Sequence, residues 1–172
     1  MEFFEAVQKR QSIRSFRALP IEHEKIVRIL EAARQAPSAG NLQAYQIVEV
    51  RKESARRALA KACLGQEFLG EAPVVLAFCA RPALSARRYG ARGKELYCVQ
   101  DATIACAYAQ LAATVLGLAS VWVGAIYEPK LVKEILELKD DSWPVALLPI
   151  GYPAESPERT GRRSLQQLVR TI

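Results

Sequence analysis

"YCVQDATIACAYAQLAATVLGL", Tyr97 to Leu118, is the longest apolar stretch of the chain, and its reading decides the fold. Gln100, Asp101 and Gln110 interrupt it, and it is richer in alanine than in leucine and isoleucine. A membrane-spanning helix needs about 20 predominantly apolar residues with few such polar groups. The stretch therefore reads as a core helix, apolar on nearly every face, with Gln100 and Asp101 as a buried amide and acid. Such a helix needs cover on all sides. A chain of 172 residues supplies that cover poorly. A second copy would bury the remaining face, so a homodimer is expected.

Gly117 ends this helix. Beyond it, "ASVWVGAI" (119–126) reads as a strand and "PKLVKEILEL" (129–138) as a helix opened by proline in its first turn. "WPVALLPIG" (143–151) reads as the last clear strand, with Pro149 pointing to an edge or a strand end. "YPAESPERTGRR" (152–163) is a loop, and "SLQQLV" (164–169) a short helix or turn.

Toward the N-terminus, residues 81–96 are a basic, glycine-containing connection. "APVVLAFCA" (72–80) is a continuous apolar run of strand length, which fits a strand buried on both faces. "ESARRALAKAC" (53–63) reads as a helix and "AYQIVEV" (44–50) as an alternating strand. Ile26, Ile29, Leu30 and Ala33 recur at helical spacing within a helix over 21–35, which Pro37 ends. Residues 3–9 form a further short helix. Helices thus alternate with about four strands. The expectation is an α+β fold: a mixed central β-sheet flanked by helices, in one domain over residues 1–172.

The formal net charge of +6 favours an anionic partner such as a phosphorylated cofactor. No run of Lys and Arg exceeds two, and aromatic residues do not interleave with the basic ones. This speaks against nucleic acid. The four cysteines form no C-x-x-C pair and His23 is the only histidine, so no metal site and no Ser-His-Asp triad is expected. Buried free thiols are expected. The N-terminus lacks the basic and apolar regions of a secretory signal, so the expected location is cytoplasmic, away from membranes.

Four stretches carry possible chemistry, each beside a plainer reading. In "KRQSIRSFR" (9–17), Arg10 and Arg14 would share a face of a helical turn, with the Ser12 hydroxyl between them. Two guanidinium forks and a hydroxyl suit a phosphate; a solvated basic helix end is the alternative. In "APSAGNLQAYQ" (36–46), Ser38, Asn41 and Gln43 offer a hydroxyl and two amides, which suit a planar heterocycle, or serve only a turn. Gly124, after an apolar strand, allows close backbone approach to a ring, or simply ends the strand. Arg162 and Arg163 complete a phosphate site from far along the chain, or form a solvated pair. There is no GxGxxG and no GxxxxGK[ST]. For Asp101 a structural role outweighs a catalytic one.

Taken together and in this order, these stretches resemble the nitroreductase family of FMN-dependent oxidoreductases. "RQSIR" resembles that family's Arg-x-Ser-x-Arg phosphate motif, and "APSAGNLQAYQIVEV" its Pro-Ser-x-x-Asn-x-Gln signature with the strand that follows. The 97–126 region is similar to its central dimer helix and next strand. "VALLPIGYPAE" resembles its last core strand and Gly-Tyr-Pro turn, and "GRRSLQQLV" occupies the place of its C-terminal basic motif.

The resemblance implies that Arg10, Gln11, Ser12 and Arg14, with Arg162 or Arg163, bind the phosphate and ribityl chain of FMN. It implies that Pro37, Ser38, Asn41 and Gln43 line the isoalloxazine ring from the other subunit, with Val123 and Gly124 near the ring. It further implies an interlocked homodimer and ping-pong electron transfer from NAD(P)H through flavin to small-molecule acceptors such as nitroaromatics or quinones. No catalytic side chain is then required, because the flavin carries the redox chemistry. Ala44-Tyr45 departs from the Pro-Trp pair common in the family, and 81–96 is short, which implies an open pocket. The alternatives are a dehalogenase or flavin-cleaving enzyme of the same fold, or a flavin-binding or basic interaction protein without turnover.

Overall fold

The computed structural model describes residues 1–139 and 141–172. Its elements are α1 (Phe3–Lys9), α2 (His23–Arg34), β1 (Tyr45–Val50), α3 (Glu53–Ala62), α4 (Phe68–Glu71), β2 (Val74–Ala80), α5 (Pro82–Arg92), α6 (Cys98–Val115), β3 (Ala119–Ser120), α7 (Pro129–Ile135), β4 (Trp143–Gly151) and α8 (Leu165–Leu168). The four strands form one sheet in the order β1-β2-β4-β3, with every ladder antiparallel. A parallel bridge between Ser12 and Ser120, isolated from these ladders, joins the N-terminal segment at the β3 edge; the sheet itself is antiparallel throughout.

Side-chain alternation along β2 explains its unbroken apolar run. Val74, Leu76 and Phe78 face α2 and α6, packing with Ile26, Ile29, Ala105 and Ala109. Val75, Ala77 and Cys79 face α3 and α7, packing with Leu59, Cys63, Val132 and Leu136. Every residue of β2 is buried. The sheet is thus the middle of three layers, and a strand covered on both faces has no polar side to show. At the far end of the sheet, the Tyr152 hydroxyl donates to Glu22 and accepts from Lys25 at 2.6 Å, tying the end of β4 to the start of α2.

Two expectations are corrected here. The 81–96 connection is largely helical. Pro82 opens α5 at its first turn, where its missing N–H is harmless, and the alanine- and arginine-rich sequence sustains it. Gly90, at φ 56°, breaks it, and a π-turn over Gly93–Tyr97 leads into α6. The 119–126 strand is instead only Ala119–Ser120, followed by an isolated bridge from Val123 to Leu147.

Pro149 gives the reason for the broken strand. Leu147 directs both its N–H and its C=O to Val123. Alternation aims the Pro149 nitrogen at the same edge, where it has no hydrogen to donate. The ladder therefore fails between Val123 and Ser120. It survives toward β2, so β4 lies inside the sheet despite its proline.

Candidate functional site

The N-terminal basic motif is not helical. α1 ends at Lys9, and residues 10–16 run extended along the sheet edge, with the Ile13 N–H donating to the Ser120 carbonyl at 3.1 Å. In extended backbone, Arg10, Ser12 and Arg14 share a face through period-two alternation, not through a helical i, i+4 relation. Ile13 points inward and packs with Phe16 and Ala72. Glu155 clamps the segment by accepting the backbone N–H groups of Arg14 and Ser15.

The outward face opens on a cleft of about 560 Å³ lined by Arg10, Gln11, Ser12, Arg14, Arg159 and Arg162, with Glu158 its one acidic side chain. Arg162 is folded onto Thr160 and Gly161 by hydrogen bonds of 3.1 Å. Arg163 turns away and donates to the Gln167 carbonyl at 2.9 Å. Four guanidinium groups against one carboxylate fit a dianionic phosphate, and the Ser12 hydroxyl adds a donor.

A second cleft, of about 470 Å³, lies at the start of α6 and is lined by Pro37, Ser38, Tyr97, Asp101 and Ile104 among others. The loop over residues 38–43 is unusual backbone: Gly40, Asn41 and Gln43 all have φ near +50° (55°, 56° and 48°). Asp101 holds it. This carboxylate is 1% exposed. Its Oδ1 accepts the Ala39 N–H at 2.8 Å and its Oδ2 the Ala44 N–H at 3.3 Å, one at each end of the loop. Ser38 adds an internal tie, its Oγ accepting the Gln43 N–H at 3.0 Å. Burial, and then the charge of Asp101, push the neighbouring Tyr45 hydroxyl above its usual pKa.

The two clefts are not one site within a single chain. The first adjoins Ser120, beyond the C-terminal end of α6, and the second adjoins Asp101, near its start. At 1.5 Å rise per residue, about 20 Å of helix separates Asp101 from the last turn. Gln43 leaves the second cleft and faces a shallow groove with Leu30, Arg34 and Tyr45. Val123 is buried in the core, and both its backbone groups pair with Leu147. The Gly124 carbonyl accepts the Ile126 N–H at 2.9 Å, which leaves the Gly124 N–H as the available donor of this pair. Gln100 is exposed, contrary to the expected buried amide, because it sits on the outer stripe of α6. The four cysteines are all buried and free, and among the described residues no three His, Cys, Asp or Glu side chains gather to hold a metal.

The description "Nitroreductase family" belongs to the family model that matches this chain, over residues 7–67 and 60–152, a span that includes the second cleft whole and the first except for its lining from residues 157–162. The chain belongs to the nitroreductase family. Among curated relatives it is 34% identical to an NADH dehydrogenase of Thermus thermophilus, across 95% of this chain and 93% of that one. It is 32% identical to the NAD(P)H FMN reductase of Bacillus subtilis, across 90% of this chain and 67% of that one. Among solved structures, the NADPH:FMN oxidoreductase from Vibrio harveyi, complexed with NAD+, superposes with a TM-score of 0.90 at 27% identity, covering 98% of this chain and 76% of that one.

Within this nitroreductase-family fold, sequence reasoning missed three contributors. Arg159 joins the phosphate-type cleft from a loop in which its basic character alone gives no position. Glu155 acts through backbone N–H groups, which no side-chain pattern reveals. Tyr97 is brought beside Pro37 by the π-turn. The only sequence signal for any of these was the polar Asp101 in an apolar helix, which marked that end of α6 as a place where backbone needed a partner.

Proposed function

We propose that this nitroreductase-family protein is an FMN-dependent oxidoreductase that moves electrons from NAD(P)H to small-molecule acceptors, nitroaromatics and quinones among them. The observation that carries the reading is the extended Arg10-x-Ser12-x-Arg14 face, which meets Arg159 and Arg162 across one cleft. A phosphate monoester there is met by several guanidinium forks at once. The bound flavin supplies the redox chemistry. The chain's own residues bind and orient: Arg10, Arg14 and Arg162 take the phosphate, Gln11 and Ser12 the polar chain beside it, and the Gly124 N–H the ring edge. Pro37, Ser38 and Asn41 cover the ring and exclude water from it. Gln43 contributes by fixing the loop through its backbone.

Because the two clefts lie at opposite ends of α6, the ring-covering loop comes from a second copy. The homodimer has further support in exposed apolar surface. Tyr108 and Val115 on the outer stripe of α6 are about 40% exposed (41% and 39%), and Phe3, Phe4, Leu165, Leu168 and Val169 are more than half exposed. Apolar surface on this scale marks an interface. Among the described residues no helix is long and apolar enough to cross a membrane.

Two measurements test the proposal. The purified protein is expected to carry flavin absorbance that NADPH or NADH bleaches and a nitroaromatic or quinone restores; a protein that takes up no FMN overturns the reading. Light scattering is expected to give a dimer, and Leu111→Glu on the α6 stripe a monomer that loses flavin.

A further inference from the structure

The segment between β2 and α6 holds positive charge that the flavin reading does not use. Residues 81–97 contain Arg81, Arg87, Arg88, Arg92 and Lys94 against Glu95 alone. Arg81 and Arg87 line a separate cleft with Asp141 and Ser142. Arg88 and Arg92 do not line the cleft at the start of α6 but adjoin it, Arg88 through Gly40 and Arg92 through Tyr97.

The Arg88 Nη1 donates to the Gly40 carbonyl at 3.3 Å, and its guanidinium lies 5.4 Å from the Tyr89 ring centre. The Arg92 Nε donates to the Tyr97 hydroxyl at 2.9 Å, with its guanidinium 5.5 Å from that ring. The two tyrosines meet edge to face at 5.1 Å, and Tyr97 lines the cleft beside Pro37, Ser38 and Ile104. Among the described residues, neither guanidinium has a carboxylate within ion-pair distance. Their partners are a carbonyl, a hydroxyl and aromatic faces, all neutral.

The fold fixes this arrangement. Gly90 reverses the chain, and Gly93 lets the two arms of the hairpin close, since a Cβ there would lie 2.6 Å from the Ser85 carbonyl oxygen. A Cβ at Gly40 would lie 2.4 Å from the Tyr89 hydroxyl and 2.7 Å from the Arg88 Nη1, so the hairpin sits directly on the ring-covering loop. Two like charges are therefore held beside the cleft, each oriented by an aromatic face and with donor edges left over. An anionic group on a molecule in the cleft can accept those donors.

We propose that Arg88 and Arg92 bind an anionic group, carboxylate or phosphate, on a substrate whose aromatic part enters the cleft beside Tyr97, and so set a preference for anionic over neutral substrates of the same shape. This rests on the reading of the chain as a flavin oxidoreductase. The anionic group has two possible carriers: an aromatic acceptor with a carboxylate, or NADPH with its 2′-phosphate.

The FMN-loaded enzyme is assayed with two matched pairs, 4-nitrobenzoate against 4-nitrobenzamide and NADPH against NADH, in wild type and R88Q/R92Q, at low and high salt. In wild type one anionic member is expected to have a KM about tenfold below its neutral counterpart at low ionic strength, with the gap closing in high salt. R88Q/R92Q is expected to abolish the gap by raising the anionic KM, and R92Q to narrow it with kcat and the neutral KM unchanged. Discrimination within the acceptor pair assigns the two arginines to a carboxylated acceptor, and within the nicotinamide pair to the 2′-phosphate. Equal KM values within both pairs in wild type, or a gap that persists in R88Q/R92Q, overturns the proposal. R92Q alone, which leaves the Arg88 contact to Gly40 in place, carries the same comparison if the double variant does not fold. Failure of both NADPH and NADH to bleach the flavin overturns instead the oxidoreductase reading beneath it.

Discussion

Asp101 holds Ala39 by a hydrogen bond of 2.8 Å from the loop N–H to a carboxylate oxygen buried within α6. With its second oxygen on the Ala44 N–H, one side chain pins both ends of the left-handed loop. Asp101→Asn keeps one acceptor and sets an amide N–H against a backbone N–H. It is expected to lose about 1–3 kcal/mol, the cost of a buried donor left unsatisfied. Urea unfolding reads the loss, and amide exchange is expected to accelerate at Ala39 and Ala44 before it does in β2.

Gly40 carries a separate constraint. At φ 55° a side chain is strained, and its Cβ would also strike Tyr89 and Arg88. Gly40→Ala is expected to destabilise by about 1–3 kcal/mol, read as a lower urea midpoint at unchanged slope. A neutral result would mean that α5 yields freely, and so does not fix the loop.

The phosphate assignment is tested on Arg10 and Arg14. Arg10→Ala and Arg14→Ala are each expected to weaken FMN binding by about 1.5–3 kcal/mol, the range for hydrogen bonds to charged groups. Arg163→Ala, whose guanidinium turns toward Gln167, is expected to leave affinity unchanged. Quenching of flavin fluorescence on titration measures all three.

The buried thiols give stability a definite dependence on alkaline pH. Burial pushes Cys63 up to about 11 and Cys79 up to about 12, from an ordinary value of 9.0. The folded state then holds protons that the unfolded chain releases, so stability falls as pH rises from about 9 through the folded values. The urea midpoint is expected to drop between pH 8 and about 10.5. Cys79→Ala is expected to remove part of that slope. Thiol reagents at pH 8 are expected to label the unfolded chain and spare the native one.

Much of the architecture was legible because burial writes itself into residue order. β2 declared its two-sided burial through seven consecutive apolar residues, and α2 its single buried face through helical spacing. The 81–96 hairpin was not legible: Gly90 and Gly93 look like loop residues and mask the helix that Pro82 opens, and only the folded chain shows the two arms meeting at Ser85 and Gly93 and at Tyr89 and Tyr97. The β3 region misled for the opposite reason. Its apolar alternation is sound, but the ladder depends on donors in β4, and Pro149 removes one from across the sheet.

For the candidate site, the residue types were determined by the sequence alone. Basic residues beside Ser12, and small and amide residues around Gly40, follow from chemistry that any arrangement of this chain carries. The motif order, which resembles the nitroreductase family, was likewise complete before folding, and the family match agrees with it. Tertiary structure alone decided how those groups are presented. It made Arg10-x-Ser12-x-Arg14 an extended face, chose Arg162 over Arg163 for the cleft, added Arg159, and spent the backbone of Val123 on Leu147. The physical reason is that a side chain's identity is local, while its direction depends on which distant backbone its own chain segment bonds. Ser120 sets that direction for the basic motif, and Asp101 for the loop.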